Sequence, residues 1–313
     1  MPDHILNVEV IGFDSGWGCR DFRTEDGPHQ VAAHSSMARL RDCGVNPVWR
    51  GPLGLKFLGS HAELNTKEKT LANTLTGLRR LSGAVKRSVE QGHVPVVLGG
   101  DHSSAIGTWS GAVEATKSNG KFGLIWLDAH LDSHTYETSY QGKWGGWWHG
   151  QPVTAILGYG LPEFTHLGGI NPKISAQHLS IIGPHSFEPA EEEFVKRHGI
   201  RVFYLEEVEA RGFKACYDEA YARATTGTEN FGLTVDLDAF RPEDAPGVGA
   251  AEDRGLKAAE VLPVLRSLGW QKAFRALEIA EFNPHQDKNG KTAQLIEKLM
   301  ESVFTKPLSG LSV

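Results

Sequence analysis

A chain of 313 residues with 40% apolar residues and a formal net charge of −6 can bury a large core, and the absence of a basic cluster gives no support for nucleic-acid binding. No apolar run reaches the length that crosses a bilayer, and the opening M-P-D-H-I-L-N lacks a basic stretch followed by an apolar one, so a cytoplasmic location is expected, with no membrane partner. Three cysteines, Cys19, Cys43 and Cys216, are an odd number without C-x-x-C spacing, which argues against a disulfide framework or a zinc ribbon and for reduced structural thiols.

Ile5 to Phe13 reads as the first strand. A glycine-bearing loop, Asp14 to Thr24, leads through T-E-D-G-P into a helical pattern from about His29 to Cys43. Leu53 to Glu68 reads as irregular, and Lys69 to Gln91 has a helical period. Val94 to Leu98 is a buried strand that runs into two glycines, which permit a tight turn, and then Asp101 and His102 open a helix near Ser103. Phe122 to Leu127 is the next strand. Leu179 to Gly183, Ile200 to Phe203, Phe231 to Val235 and Phe274 to Ile279 follow, with helical segments between them. This alternation predicts an α/β fold, a three-layer sandwich with a central, mostly parallel sheet covered on both faces and ligands outside the carboxyl ends of the strands. No repeat, low-complexity tract or linker interrupts it, so residues 1–313 are read as a single domain.

The strand ends carry the chemistry. Asp128, His130 and Asp132 follow Phe122 to Leu127 at alternate positions, so they share one face if strand geometry continues. Carboxylates with an imidazole and no thiolate suit a hard to borderline divalent ion such as Mn²⁺. Alone, this triplet is explained equally well by a solvated turn with a chance histidine. His102 stands at a second strand end, and Asp236 and Asp238 stand together on one face at a third. Like charges that close repel strongly in a low-dielectric pocket, and a cation is the simplest reason to keep both. Two histidines and four aspartates are enough donors for two ions with bridging carboxylates.

Three motifs, G-G-D-H-S, D-A-H-L-D and V-D-L-D-A-F, occur here in the order found in the ureohydrolases: arginase, agmatinase, formimidoylglutamase and relatives. The chain resembles that family from about Ile11 to Glu297. The resemblance implies an arginase-like fold and a site for two manganese ions per subunit, with His102 on one ion, His130 on the other, Asp128 and Asp236 bridging, and Asp132 and Asp238 completing the set. It maps the E-x-N-P motif onto Glu281, Asn283 and Pro284, so that Glu281 pairs with a guanidinium or amidinium cation. Glu278 has the plainer expectation of a salt bridge near a strand end. His149, in H-G-Q-P-V, matches the family histidine thought to shuttle a proton, against the alternative of a surface histidine in a glycine-rich loop. Asp132 doubles as a stabiliser of the tetrahedral intermediate. Family members are commonly trimers or hexamers, so a homo-oligomer is expected. Histone-deacetylase-like proteins share the general fold but use one zinc, which the six-ligand set argues against.

The substrate implied is a small guanidino compound, foremost L-arginine, cleaved to L-ornithine and urea. His134 and Gln141 stand where arginases carry an asparagine and a serine that read the α-carboxylate, and Glu188 falls on the aspartate that binds the α-ammonium. The loop Asp14 to Thr24 departs from the arginase form, and Ala245 to Gly249 leans towards agmatinase and formimidoylglutamase. Hydrolases of agmatine, another guanidino acid or formimidoylglutamate are therefore the alternatives, with a catalytically silent metabolite-binding relative as a different class. Lys143 to Trp148, K-W-G-G-W-W, is a short insertion relative to arginases. It reads as local packing or a subunit contact, or else as a movable apolar lid. Trp109, Trp126 and Trp270 are expected in the core.

Overall fold

The computed structural model describes residues 5–31, 33–56, 67–118, 121–139 and 147–307. Among them eight strands form one sheet: β1 (Asn7–Gly12), β2 (Asn46–Pro52), β3 (Val94–Leu98), β4 (Phe122–Leu127), β5 (Leu179–Ile182), β6 (Arg201–Phe203), β7 (Asn230–Asp236) and β8 (Phe274–Ala280). Their spatial order is β2-β1-β3-β8-β7-β4-β5-β6, and every neighbouring pair is parallel. Every residue of β3, β4 and β7 is buried. A parallel sheet is covered on both faces, so its central strands carry near-continuous apolar runs where a one-faced sheet would alternate.

Side chains of one strand go to opposite layers. In β4, Ile125 and Leu127 join one core cluster, whereas Phe122, Leu124 and Trp126 join the other. The first cluster is closed by the helices Ala33–Asp42, Phe213–Thr225 and Lys291–Phe304, and the second by Lys67–Glu90 and Ser104–Thr116. These are the three layers expected. No helix among the described residues is long and apolar enough to cross a membrane.

Two local readings need correction. Asn46–Pro52 forms β2, which the sequence pattern did not mark as a strand because Pro47 and Pro52 lack the amide a ladder uses. It survives as an edge strand, pairing with β1 alone. The helical pattern expected from His29 to Cys43 is broken, since Gly27–Gln30 is a single turn capped by an extended Val31 before the helix Ala33–Asp42 begins. Of Leu53 to Glu68, residues 57–66 lie outside the described residues, and Lys67 and Glu68 already belong to the following helix.

Register decides where the strands deliver their ends. Leu98 is level with Ile279, Ile279 with Val235, and Val235 with Leu127. The carboxyl ends of β3, β8, β7 and β4 therefore lie side by side at the middle of the sheet.

Behind these ends a buried polar knot ties β7 and β8 to the Ser104–Thr116 helix. Trp109 Nε1 donates to Thr234 Oγ1 (2.7 Å), which donates to Glu278 Oε2 (3.0 Å). Ser104 Oγ (2.7 Å) and Thr108 Oγ1 (2.9 Å) donate to Glu278 Oε1. Glu278 thus takes three hydroxyl donors in place of the salt bridge expected for it. Burial pushes its carboxyl up, and the charge of His102 with these hydroxyls pulls it part of the way back. The Trp109 ring lies directly over Gly232 of β7, where an added Cβ would meet ring carbons at 2.2 and 2.4 Å. Gly232→Ala is accordingly expected to destabilise the fold by about 1–3 kcal/mol, because a packed core relaxes poorly around an added methyl. Urea unfolding checks this, and a midpoint equal to that of the parent protein would show that the indole has room to move.

Candidate active site

The turn after β3 is fixed before its histidine is placed. Gly99 N donates to Ile279 O (2.7 Å) and Asp101 N to Ser15 O (3.0 Å). Asp101 accepts from the amides of Gly18 (2.9 Å) and Ser103 (2.9 Å), so its carboxylate holds the loop Asp14 to Thr24 and the start of the helix. His102 follows, fully buried, with Nδ1 at 2.8 Å from Asp236, 3.0 Å from Asp132 and 3.3 Å from Asp128. Its ring lies 4.6 Å from that of Trp126.

Beyond β4, Asp128 accepts from Trp126 Nε1 (2.7 Å) on one oxygen and from the His130 amide (2.7 Å) on the other. It stands between the histidines, with His130 Nδ1 at 3.5 Å. His130 Nδ1 is also 3.3 Å from Asp238. Beyond β7, Asp236 accepts from the Asp238 amide (2.9 Å), and the two carboxylates face the same space. All six predicted ligands thus come together. Their donor atoms form two groups, His102 with Asp128 and Asp236, and Asp128 with His130 and Asp238, so that Asp128 is common to both. Asp132, with a left-handed φ of 45°, adjoins the first group through His102.

The electrostatics fit a cation. Burial pushes Asp132 up to about 7, with the Asp128 charge adding to it. Asp236 is also pushed well above the usual carboxylate range, first by burial and then by Asp238 as its repelling neighbour. Burial disfavours charge on His102 and His130, yet the surrounding carboxylates, led by Asp236 and Asp238, hold both rings well above the usual histidine range. Both ring nitrogens of His102 and one oxygen of Asp132 are buried without a hydrogen bond. Oxygen and imidazole donors so crowded and so poorly satisfied by one another are what a divalent ion needs, and the residues present fit one.

Glu281 hangs over this floor. It has a left-handed φ of 66°, a conformation that costs a non-glycine residue of order 1–3 kcal/mol. Its amide is tied to Gly100 O (2.8 Å), and its Oε1 accepts from the His102 amide (2.7 Å). Oε2 is buried with no hydrogen-bond partner. An added Cβ at Gly249 would sit 2.2 Å from that oxygen, so a side chain there would displace the Glu281 carboxylate. Burial, then the charges of Asp101 and Asp238, push the Glu281 carboxyl well up, a situation a cationic ligand would relieve.

His149 lines the same pocket and is not a surface histidine. Its amide and that of Trp148 donate to Gly18 O (3.1 and 2.9 Å), and its Nδ1 is 3.9 Å from Glu281. Burial, then positive charge on His130 and His102, lowers its pKa to about 3, so the ring is neutral at neutral pH.

The outer wall differs from what sequence alone assigned. His134 is buried, with Nδ1 at 3.2 Å from Thr138 Oγ1 and Nε2 at 3.2 Å from Glu188 and 3.4 Å from Glu191. Glu188 caps the helix Pro189–His198 in a reciprocal box with Glu191, and it is Glu191 that lines the pocket, together with His134, Ser139, Trp147 and Ser186. Glu191, Ser139 and Ser186 were not found by sequence reasoning. The E-P-A-E spacing, a capping-box pattern with proline at the first helical position, was the available signal for Glu191. Gln141 and positions 143–146 of the insertion lie outside the described residues. Trp148 is core, stacked 6.3 Å from Tyr136 and edge-on to Phe164 at 5.7 Å, whereas Trp147 borders the pocket. Trp109 and Trp126 are fully buried, and Trp270 is partly so, its Nε1 donating to Phe304 O (2.7 Å).

The sequence model of the arginase family matches residues 7–305. The arginase of Brevibacillus brevis is 34% identical over 298 residues, 95% of this chain and 97% of that protein, and the arginase of Bacillus caldovelox is 36% identical over 303 residues, 96% and 99%. The crystal structure of Bacillus cereus arginase superposes with a TM-score of 0.85 at 32% identity, covering 97% of this chain and 100% of that one. The formiminoglutamase of Trypanosoma cruzi, at 17% identity and a TM-score of 0.71, shares the fold. The chain belongs to the arginase family of metal-dependent hydrolases, which act on guanidino C–N bonds.

Proposed function

We propose that this chain hydrolyses L-arginine to L-ornithine and urea, using two manganese ions held by His102, Asp128, His130, Asp132, Asp236 and Asp238, and that residues 1–313 act as one ureohydrolase domain. The observation that carries the reading is the pair of donor groups sharing Asp128, with the open oxygen of Glu281 above them. The oxygen and imidazole donor set supports manganese, and the two relatives named arginase, at 34% and 36% identity, support arginine. When bound, a pair of divalent ions lowers the pKa of a shared water from 15.7 to roughly 7 and so provides the nucleophile at neutral pH.

The chain's own residues do the rest. Glu281 Oε1 is committed to the His102 amide, so Oε2 is the oxygen that accepts from the planar guanidinium and holds its carbon over the ligand floor. Asp132 faces the same space and takes a proton as water adds to that carbon. As the C–N bond breaks Asp132 gives its proton to the leaving nitrogen, and neutral His149 carries the second water proton to the same atom, so that both end on the ornithine ammonium while urea keeps the four protons of its two NH2 groups. Glu191 on the pocket wall presents a carboxylate to the far end of the substrate, which suits an ammonium group, while Glu188 caps the helix and meets His134. Of the residues expected to read the α-carboxylate, His134 faces these two carboxylates.

Three measurements test the reading. Asp236→Asn and His102→Ala should lose bound manganese and urea release together while keeping the native circular dichroism spectrum. Either variant turning over normally with full metal occupancy would refute the ligand assignment. Glu281→Gln removes a charged acceptor worth about 1.5–3 kcal/mol, so kcat/KM should fall about 10- to 150-fold with metal content unchanged. Finally, manganese-loaded protein should release urea from L-arginine in preference to agmatine or 4-guanidinobutyrate, and formamide should not appear from N-formimidoyl-L-glutamate. Preference for another compound would keep the floor and overturn the assignment of the outer wall, and no release from any of them would point to a silent relative.

A further inference from the structure

The two histidines of the floor are held by different means. His102 packs against the Trp126 ring, and neither of its ring nitrogens has a hydrogen bond. His130 has Nδ1 turned towards Asp128 (3.5 Å) and Asp238 (3.3 Å), while its other nitrogen, Nε2, meets Glu252 Oε1 at 3.3 Å. Glu252 belongs to neither donor group. We propose that Glu252 is a positioning residue, one that accepts a hydrogen bond from Nε2–H of His130 and so fixes the ring with Nδ1 turned towards the space between Asp128 and Asp238, where it would meet an ion. The inference rests on the two-ion reading above.

An imidazole has two nitrogens, and in the neutral ring one donates while the other offers a lone pair. A carboxylate on Nε2 therefore settles which nitrogen is free to bind a cation and prevents the ring from turning over. Such a clamp works only if the carboxylate is itself held. Glu252 lies in the loop between Phe240 and Leu256, which is anchored on both sides of it. Before it, Gly247 N donates to Thr292 Oγ1 (2.8 Å), Asn283 N to Gly247 O (2.9 Å) and Gly249 N to Glu281 O (3.2 Å). After it, Arg254 reaches Glu206 (3.1 Å) and Glu209 (2.8 Å) on the helix Leu205–Arg211, and Leu256 N donates to Ala239 O (2.7 Å). The loop that supplies the glycine beside Glu281 thus also supplies the clamp on His130.

The asymmetry gives the test. The full-length protein is stripped of metal and titrated with Mn²⁺ by calorimetry, as parent, Glu252→Ala and Glu252→Gln. The parent should take up two equivalents. In Glu252→Ala one equivalent should keep its affinity and the other weaken about 10- to 100-fold, the usual effect of losing a carboxylate behind a ligating histidine. Glu252→Gln retains an oxygen that accepts from Nε2, and its weaker equivalent should stay within about tenfold of the parent. Thermal unfolding of the metal-free proteins separates a clamp from a general loop support, since the clamp leaves the midpoint unchanged. Two equivalents of unchanged affinity in Glu252→Ala, or both weakened alike with a lowered metal-free midpoint, would overturn the inference alone. A parent protein that takes up fewer than two equivalents would overturn the two-ion reading beneath it.

Discussion

Four buried aspartates crowd two imidazoles at the carboxyl ends of β3, β7 and β4, and the repulsion among them is the constraint on which the rest of the structure depends. Two unit charges 4 Å apart at an effective dielectric near 20 interact by about 4 kcal/mol, comparable with a large part of the net stability of a domain. Within the cluster itself, burial and mutual repulsion raise the affinity of Asp132 and Asp236 for protons, and the surrounding carboxylates raise that of His102 and His130. That arrangement leaves buried polar atoms unsatisfied, and a cation would displace such protons and satisfy the atoms together. Nothing so costly persists unless the backbone leaves the side chains no alternative.

The backbone does so through register. Four strand ends share one level, and the turns beyond them are closed by hydrogen bonds, those after β4 and β7 through one oxygen each of Asp128 and Asp236. Asp101 binds the amides of Gly18 and Ser103, and the hydroxyl knot around Glu278 binds the Ser104–Thr116 helix to β7 and β8. Both are acidic residues next to the site that serve the frame. Asp132 and Glu281 then carry left-handed backbone conformations, strain that this frame absorbs.

The floor was legible in the sequence because each of its parts is local. An apolar run followed by alternate acidic and imidazole residues states both the strand end and the donors within ten residues, at His102, Asp128 to Asp132 and Asp236 to Asp238. Seven of the eight strands were readable for the same reason, and β2 was not, because its prolines hide an edge strand from pattern reasoning. The role of Glu278 escaped too, since its hydroxyl partners lie on a helix 170 residues or more away and on a neighbouring strand. Glu191 and Ser186 reach the pocket from a single loop and helix start, whose sequence signal is one of capping rather than chemistry.

This division has a physical origin. The reacting centre needs donors fixed to within a fraction of an ångström, and only strand ends in register provide that rigidity. The outer wall has to match a substrate's far end, and among the described residues it is built from His134, Ser139 and Trp147, the start of the Pro189–His198 helix and the Phe240 to Leu256 loop. Loops tolerate changes of length and composition that a parallel sheet does not, so one floor can be combined with different walls. A sequence therefore declares the reaction through its strand ends long before it declares the substrate. In this chain the two parts meet at the loop carrying Gly249 and Glu252, because it touches Glu281 above the floor and His130 within it.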